Sequence, residues 1–238
     1  MSVLYIVRHG QASFLQDNYD LLSPTGIEQS RLLGQYWIDN QIEIDEVYSG
    51  SLIRQKQTEE ALGESFRKVG QTWPECQILP GLNEYGGDDF MQELGPELIE
   101  KHKHVRRLSE EFEEAKSDRD KYRSFHRLLE AIMRYYIAGE YESSGFETGR
   151  EFHDRVTAAF AEIRSRDGRG RQVAVITSGG PVGVAVQTAL QAPEQQAGEL
   201  NWRVHNASVT SFTFRPDRIS LDHFNAIAHL PREFQTYR

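Results

Sequence analysis

A short polar tripeptide, Arg8-His9-Gly10, directly follows an apolar run over residues 3–7. A neutral histidine is a competent nucleophile toward phosphorus when one ring nitrogen is free and the other is held by a hydrogen bond. Arg8 would supply a charged donor fork for phosphoryl oxygens, and Gly10 would let the backbone come close. The tripeptide therefore predicts phosphate chemistry at His9, although taken alone it also fits a histidine that merely satisfies a polar position.

Two further segments carry residues suited to the same chemistry. Residues 47–58 are typical of a strand, a turn and the start of a helix, with Arg54 in the first helical turn and Thr58 one turn later on the same face. Two arginines around one histidine would form a pocket for a dianion. Glu84 stands in a loop bracketed by glycines, where a carboxyl group can protonate a leaving alkoxide and later activate water. A surface glutamate in a turn is the alternative for Glu84.

The overall composition excludes several other classes of protein. The chain has 238 residues, a net charge of −9 and a single cysteine, Cys76, so it forms no internal disulfide. The negative charge argues against nucleic acid as a partner, and no apolar run is long enough to cross a membrane. Without a secretory signal, we expect a cytoplasmic protein. An anionic substrate would then need a local basic pocket.

Buried strands and amphipathic helices alternate along the chain. Apolar runs at residues 3–7 and 173–177 suit strands buried on both faces of a parallel sheet. Ser23 and Pro24 are typical of a helix start, as capping residue and first helical residue. Further strands are predicted at 46–49, 77–79, 208–214 and 219–224, and further helices at 52–66, 147–166 and 182–190. This alternation predicts an α/β fold: a three-layer α/β/α sandwich with a mostly parallel sheet.

The segment 90–139 differs from the rest because it is strongly charged yet has apolar residues at helical spacing. A polar interruption at 117–120 divides it, which predicts two helices in a hairpin. We interpret residues 1–238 as one domain and 90–139 as a helical cap insertion that shapes the mouth of the pocket. A solvated hairpin and a partner-binding surface are the alternatives.

Together these motifs resemble the histidine phosphatase superfamily, the phosphoglycerate-mutase-like proteins, over nearly the whole chain. The tripeptide 8–10 matches the family signature, and residues 22–26 and 49–58 resemble the segments that follow it. The resemblance implies that His9 becomes phosphorylated, that Arg8 and Arg54 bind the phosphate, and that Glu84 is the acid/base carboxylate. No metal or other cofactor is implied, because the arginines would neutralise the phosphate charge.

The sequence departs from the family at the end of the second buried strand. There the family has a second histidine followed by glycine, whereas this chain has Ser178 and Gly179. We expect both residues to contribute to substrate binding, since Ser178 can donate a hydroxyl hydrogen bond and opens a helix whose first amides favour an anion. Serine carries no positive charge, and a hydrogen bond to a charged group is worth roughly 1.5–3 kcal/mol against about 1 for a neutral one. This predicts a weakened or retuned enzyme.

Other residues offer weaker alternatives. Ser178 does not fit the hydrolase motif Gly-x-Ser-x-Gly, because Ile176 stands where the first glycine should be. His102 and His104 point to different faces of a helix, which argues against a metal site. Five more histidines are candidates for replacing the missing cation: His126, His153, His205, His223 and His229.

Three functions fit this pattern. The first is a phosphatase that cleaves a phosphomonoester through phosphohistidine. The second is a mutase that returns the phosphoryl group to its substrate; residues 11–14 depart from the mutase signature, which favours the phosphatase. The third is a binding module that takes phosphate or a phosphorylated ligand without turnover, and it is motivated by Ser178. A small phosphate ester or phosphorylated ligand is the expected partner in each case.

Overall fold

The computed structural model describes residues 1–13 and 20–237, with side chains except those of residues 87–90. Phe14, part of the segment that departs from the mutase signature, lies outside the described residues. The strands are Ser2–Arg8 (β1), Glu46–Ser49 (β2), Cys76–Ile78 (β3), Gln172–Thr177 (β4), Val209–Arg215 (β5) and Arg218–Ala226 (β6). The α-helices are Pro24–Asp39 (α1), Ile53–Lys68 (α2), Gly87–Lys101 (α3), Lys103–Glu113 (α4), Asp118–Ala138 (α5), Gly149–Ser165 (α6), Gly179–Leu190 (α7) and Gln196–Asn201 (α8).

The strands form one mixed sheet in the order β3-β2-β4-β1-β5-β6. β1, β2, β3 and β4 are parallel, and β5 runs antiparallel to both of its neighbours. The predicted α/β class and mostly parallel sheet are therefore confirmed. Because β1 and β4 are adjacent and parallel, the residues that follow Arg8 and Thr177 meet at the same edge of the sheet.

The faces of β1 are both covered, as its unbroken apolar sequence predicts. Val7 packs with Leu33 and Trp37 of α1 in a core cluster that also includes residues of α2. Leu4 and Ile6 point to the opposite face, since side chains alternate along a strand, and both are fully buried. Burial on both faces holds β1 rigidly in the sheet.

Contacts between residues divide the chain into two compact units. The first comprises Met1–Glu84 and Arg155–Arg238 and contains the sheet, and the second comprises Tyr85–Asp154. Within the second unit, α4 and α5 pack as the predicted hairpin, with the rings of Phe112 and Phe125 centred 5.8 Å apart. Whether this unit serves as a substrate cap stays a prediction.

The second unit contains one helix more than the sequence predicted. α3 runs through Pro96, which suggests a helix end when met in sequence, and it buries Leu94 and Leu98 one turn apart. His102 then adopts an extended conformation (φ −118°, ψ 110°) and separates α3 from α4. The two-helix prediction was wrong here because the burial of Leu94 and Leu98 compensates for the hydrogen bond that Pro96 cannot make.

The loop after β1 packs against the start of α1 without room for a side chain. A Cβ atom on Gly10 would collide with the backbone carbonyl of Gly26, and one on Gly26 would collide with that of Gln11. Backbone cannot move aside as a flexible side chain does. The two glycines therefore set the distance between the end of β1 and α1.

We expect Gly10→Ala to lower the free energy of unfolding by roughly 1–3 kcal/mol, the usual effect of overpacking. Gly95→Ala is the matched control, because a Cβ there meets only Ile132 Cδ1 at 3.9 Å and alanine favours the helix. Urea unfolding followed by circular dichroism measures both variants, and tryptophan fluorescence reports on the first unit, where all three tryptophans lie. Equal stability of Gly10→Ala and wild type would contradict the packing argument.

Candidate active site

The nucleophile predicted from sequence, His9, lies at the carboxyl edge of the sheet and is 5% exposed. Its backbone is held from both sides: its amide donates to the carbonyl of Thr177 at 2.8 Å, and its carbonyl accepts from the amide of Ala207 at 3.2 Å. The neighbouring Gly10 amide donates to Thr58 Oγ1 at 3.0 Å. The imidazole is thus carried by backbone that three different segments fix.

The hydrogen bonds of the His9 ring define its protonation. Arg54 Nε donates to His9 Nε2 across 3.2 Å. An arginine can only donate, so Nε2 must hold a lone pair rather than a proton. The proton of the neutral ring then lies on Nδ1, which is 2.7 Å from the carbonyl oxygen of Gly10 and donates to it. One nitrogen is anchored and the other is unprotonated, the arrangement that a histidine nucleophile needs.

The electrostatic surroundings keep this histidine neutral. Burial, followed by the positive charges of Arg54 and Arg8, holds the pKa of His9 well below 6.5, while the hydrogen bond to Gly10 acts in the opposite direction. Protonation would place a third cation in a space from which water is excluded. His9 is therefore unprotonated at neutral pH.

Arg54 is positioned by a carboxylate that the sequence analysis did not single out. Asp20 Oδ1 lies 2.6 Å from Arg54 Nη1, and Asp20 Oδ2 accepts from the Ile53 amide at 2.7 Å. Asp20 thus binds both the guanidinium and the first amide of α2. Thr58 completes the arrangement, because its hydroxyl donates to the Arg54 carbonyl at 2.8 Å. Asp20 is distant in sequence from Arg54, so no local pattern could have identified it.

Arg8 lies beside the histidine and also binds backbone of the C-terminal segment. Its Nη1 donates to the carbonyl of Val204 and to that of Tyr237, the latter at 2.6 Å. The ring of Tyr237 lies against that of His205, tilted by 32° with centroids 3.9 Å apart. Residues near the C-terminus are therefore tied to the first arginine of the signature.

Glu84 lies close to the residues that replace the family's second histidine. Its Oε2 accepts from the amide of Gly180 at 3.1 Å, in the first turn of α7. Its loop is fixed by Arg155 Nη1, which donates to the carbonyls of Gly81 at 2.9 Å and Asn83 at 3.1 Å. Arg155 lies on α6, far along the chain, and gave no signal in the sequence. Glu84 is thus held in the site and not on a mobile turn.

Ser178 is fully buried and does not cap α7 with its side chain. Instead its hydroxyl oxygen accepts from Gln55 Nε2 at 2.9 Å, and the same amide nitrogen donates to the Leu82 carbonyl at 3.2 Å. Gln55 is the neighbour of Arg54 and a second residue that the sequence analysis missed. Gly179 packs directly against Asn201, which leaves no room for a side chain there. Ser178 and Gln55 therefore form an uncharged pair.

Two of the candidate histidines are unsuited to replace the missing cation. Burial lowers the pKa of His229 to about 4 despite its hydrogen bond to the Ala207 carbonyl. Burial likewise lowers the pKa of His205, which Asn225 contacts at 3.3 Å. Both are neutral at pH 7.

An open, mostly parallel sheet with a buried histidine and arginine at its carboxyl edge defines a phosphoryl-handling class of α/β protein. The sequence matches the profile of the histidine phosphatase superfamily (branch 1) over residues 4–139 and 110–227. The chain belongs to the histidine phosphatase superfamily, whose enzymes act on phosphate esters. No curated protein matches its sequence.

Solved structures show the same fold over almost the full length. A phosphoserine phosphatase mutant from Entamoeba histolytica in complex with phosphoserine has a TM-score of 0.63 and 18% identity, covering 97% of this chain and 100% of that one. A mycobacterial glucosyl-3-phosphoglycerate phosphatase has a TM-score of 0.60 and 20% identity, covering 95% of this chain and 99% of that one. A phosphoglycerate mutase from Bacillus anthracis has a TM-score of 0.60 and 17% identity, covering 96% of this chain and 94% of that one.

In this chain, no described helix is long and apolar enough to cross a membrane.

The depressed pKa of His229 predicts how stability depends on pH. The unfolded chain takes up a proton near pH 6.5 and the folded chain only near pH 4, so the contribution of His229 is fully present above pH 6.5 and is lost as the pH falls toward 4. We expect a loss of up to roughly 3 kcal/mol from this residue. Urea denaturation at a series of pH values measures it.

His229→Gln keeps a donor for the Ala207 carbonyl and does not titrate. It should therefore reduce the loss of stability between pH 6.5 and 4 by the share that His229 contributes, whereas His104→Gln at an exposed position should leave that loss unchanged. An unaltered profile in His229→Gln would show that His229 is not the residue responsible.

Proposed function

We propose that this protein hydrolyses phosphomonoesters through a phosphohistidine intermediate on Nε2 of His9. The hydrogen bond from Arg54 Nε to His9 Nε2 carries this proposal, because it identifies Nε2 as the unprotonated nitrogen. It also places a guanidinium within 3.2 Å of the nitrogen where a phosphoryl group would be attached. A bound phosphate would replace the lone pair of Nε2 as the acceptor for Arg54, with charge-assisted hydrogen bonds.

The reaction has two steps. In the first, the lone pair of His9 Nε2 attacks phosphorus, the P–O bond to the substrate breaks, and the leaving alkoxide takes a proton from the Glu84 carboxyl group. In the second, water attacks the phosphohistidine, Glu84 takes back a proton, and the P–N bond breaks to release phosphate and neutral His9. Glu84 is suited to both roles, since the Gly180 amide orients its carboxyl group at the start of α7.

The phosphate would be bound by Arg8, Arg54 and the start of α7 at Ser178 and Gly179. The pair of Ser178 and Gln55 supplies no positive charge at the place of the second histidine. Loss of a donor that stabilises a transition state reduces turnover by about 10²–10³, and the serine hydroxyl retains part of that effect. We therefore propose a slower enzyme than one with two histidines, acting on a small phosphate ester in the cytoplasm.

His9→Ala should lower phosphomonoesterase activity by at least a thousandfold, because the nucleophile is lost. The measurement is phosphate release from a panel of monoesters, together with rapid quenching of labelled substrate to trap protein-bound phosphate that is stable in alkali and released in acid. His223→Ala, at an exposed position outside the site, is the matched control.

Equal hydrolysis by wild type and His9→Ala would overturn the mechanism.

A second candidate function, phosphate binding without turnover, is favoured by the uncharged pair of Ser178 and Gln55. It predicts no phosphate release from any monoester, together with a melting temperature that inorganic phosphate raises in wild type but not in Arg54→Gln.

Glu84→Gln should separate substrates by their leaving groups. An alkyl phosphate needs a proton on its leaving oxygen, so its hydrolysis should fall by about 10²–10⁴. A p-nitrophenyl phosphate leaves without a proton, so formation of its phosphoenzyme in a single turnover should fall far less. Glutamine can still accept from the Gly180 amide, which preserves the loop. A uniform loss for both substrates would contradict the acid role, and Glu28→Gln on α1 controls for the loss of one carboxylate.

A further inference from the structure

A cavity of about 480 Å³ lies at the end of the sheet where β1 begins, whereas His9 follows the end of that strand. It is bordered by Ser2 at the start of β1, whereas Arg8 and His9 are at the other end of the same strand. The length of that strand separates the two sites by about 20 Å. The cavity is therefore distinct from the candidate active site, and its volume is within the range of small-molecule sites, roughly 300–1,000 Å³.

Arginines dominate the lining of this cavity, in a protein whose net charge is −9. Asp217 is the one acid among its described lining residues, against five arginines: Arg164, Arg166, Arg169, Arg171 and Arg215. Two of the five are already paired, because Arg171 Nε lies 2.5 Å from Glu46 Oε1 and Arg166 Nη2 lies 3.7 Å from Glu162 Oε1. The three that remain are Arg164, Arg169 and Arg215.

Arg164 is half-buried, and within the described part of the chain its side chain contacts only a backbone carbonyl, that of Phe160 at 3.4 Å. Burial lowers its pKa, with no carboxylate acting in the opposite direction. The exposed side chains of Arg169 and Arg215 likewise make no hydrogen bond or ion pair with any described residue. The cost of lost hydration falls on Arg164, because a protein rarely removes a guanidinium from water without a partner. An anion in the cavity would supply that partner.

We propose that this cavity is a second anion site, which binds a small molecule carrying two or more linked phosphate groups. One phosphate would fill only a small part of a cavity of this volume. Guanidinium groups bind phosphate oxygens in pairs, so a diphosphate or triphosphate matches both the number and the type of the unpaired donors. The acidic net charge of the chain disfavours nucleic acid, whose backbone needs an extended basic surface.

Isothermal titration calorimetry with ATP and with inorganic pyrophosphate tests the proposal. The full chain carries His9→Ala, which removes the proposed nucleophile, together with Arg54→Gln, which weakens the active-site pocket. We expect one binding event that survives in this background. Adding Arg164→Gln should weaken the affinity at least tenfold, as expected when a hydrogen bond to a charged group is lost. The pair Arg169→Gln and Arg215→Gln should do the same, and since both residues are exposed these changes leave the fold intact.

Arg31→Gln on α1, an exposed arginine outside the cavity, is the matched control and should leave the affinity unchanged. Three results would overturn the proposal: no binding of either probe at millimolar concentration, binding that Arg54→Gln abolishes and the cavity variants do not affect, or inorganic phosphate binding as tightly as ATP. Tighter binding of a DNA duplex than of ATP would overturn it in favour of a nucleic-acid surface.

Discussion

The hydrogen bond between Arg54 Nε and His9 Nε2 is the interaction on which the rest of the site depends. Because a guanidinium has no acceptor, this one contact determines the tautomer of the histidine and the direction of its lone pair. It holds only if α2 and the end of β1 keep their separation. Thr58 ensures this, since its hydroxyl accepts from the Gly10 amide and donates to the Arg54 carbonyl. One threonine thus connects the backbone of the nucleophile to that of its arginine.

Two guanidinium groups lie close to His9 and would favour an anionic ligand. Burial and these two charges lower the pKa of the imidazole, and the carboxylate of Asp20 pairs with Arg54. A phosphate dianion would add two negative charges to this arrangement. The neutral pair of Ser178 and Gln55 limits how much of that charge the protein compensates. The site therefore combines an unprotonated histidine nitrogen with a modest local positive charge.

Sequence patterns predicted those parts of the molecule that local physics determines. The apolar runs gave β1 and β4, and the hydroxyl of Ser23 caps α1 as expected, accepting from the Gly26 amide at 3.1 Å. α3 was not predicted, because the helical spacing that was noted in this segment begins at Val105, and the burial of Leu94 and Leu98 is a tertiary effect.

The candidate site also divides into residues that local sequence patterns identify and residues that only tertiary contacts identify. Arg54 and Glu84 occur in recognisable segments, so their types and order could be interpreted from sequence. Asp20, Gln55 and Arg155 act through partners that are distant in the chain or lie in another element. Ser178 was identified as a substitution, but the donor that faces it could be found only from coordinates.

The order of strands in the sheet has a consequence for how the chain folds. β1 is synthesised well before its neighbours in the sheet, β4 and β5, so Leu4 pairs with residues made much later, Val173 and Phe212. Until those residues are synthesised, an apolar strand with two unpaired edges must wait, exposed to other chains. Pairings of such high sequence separation also form slowly. The strand that carries His9 is thus made before both of its partners and completed late.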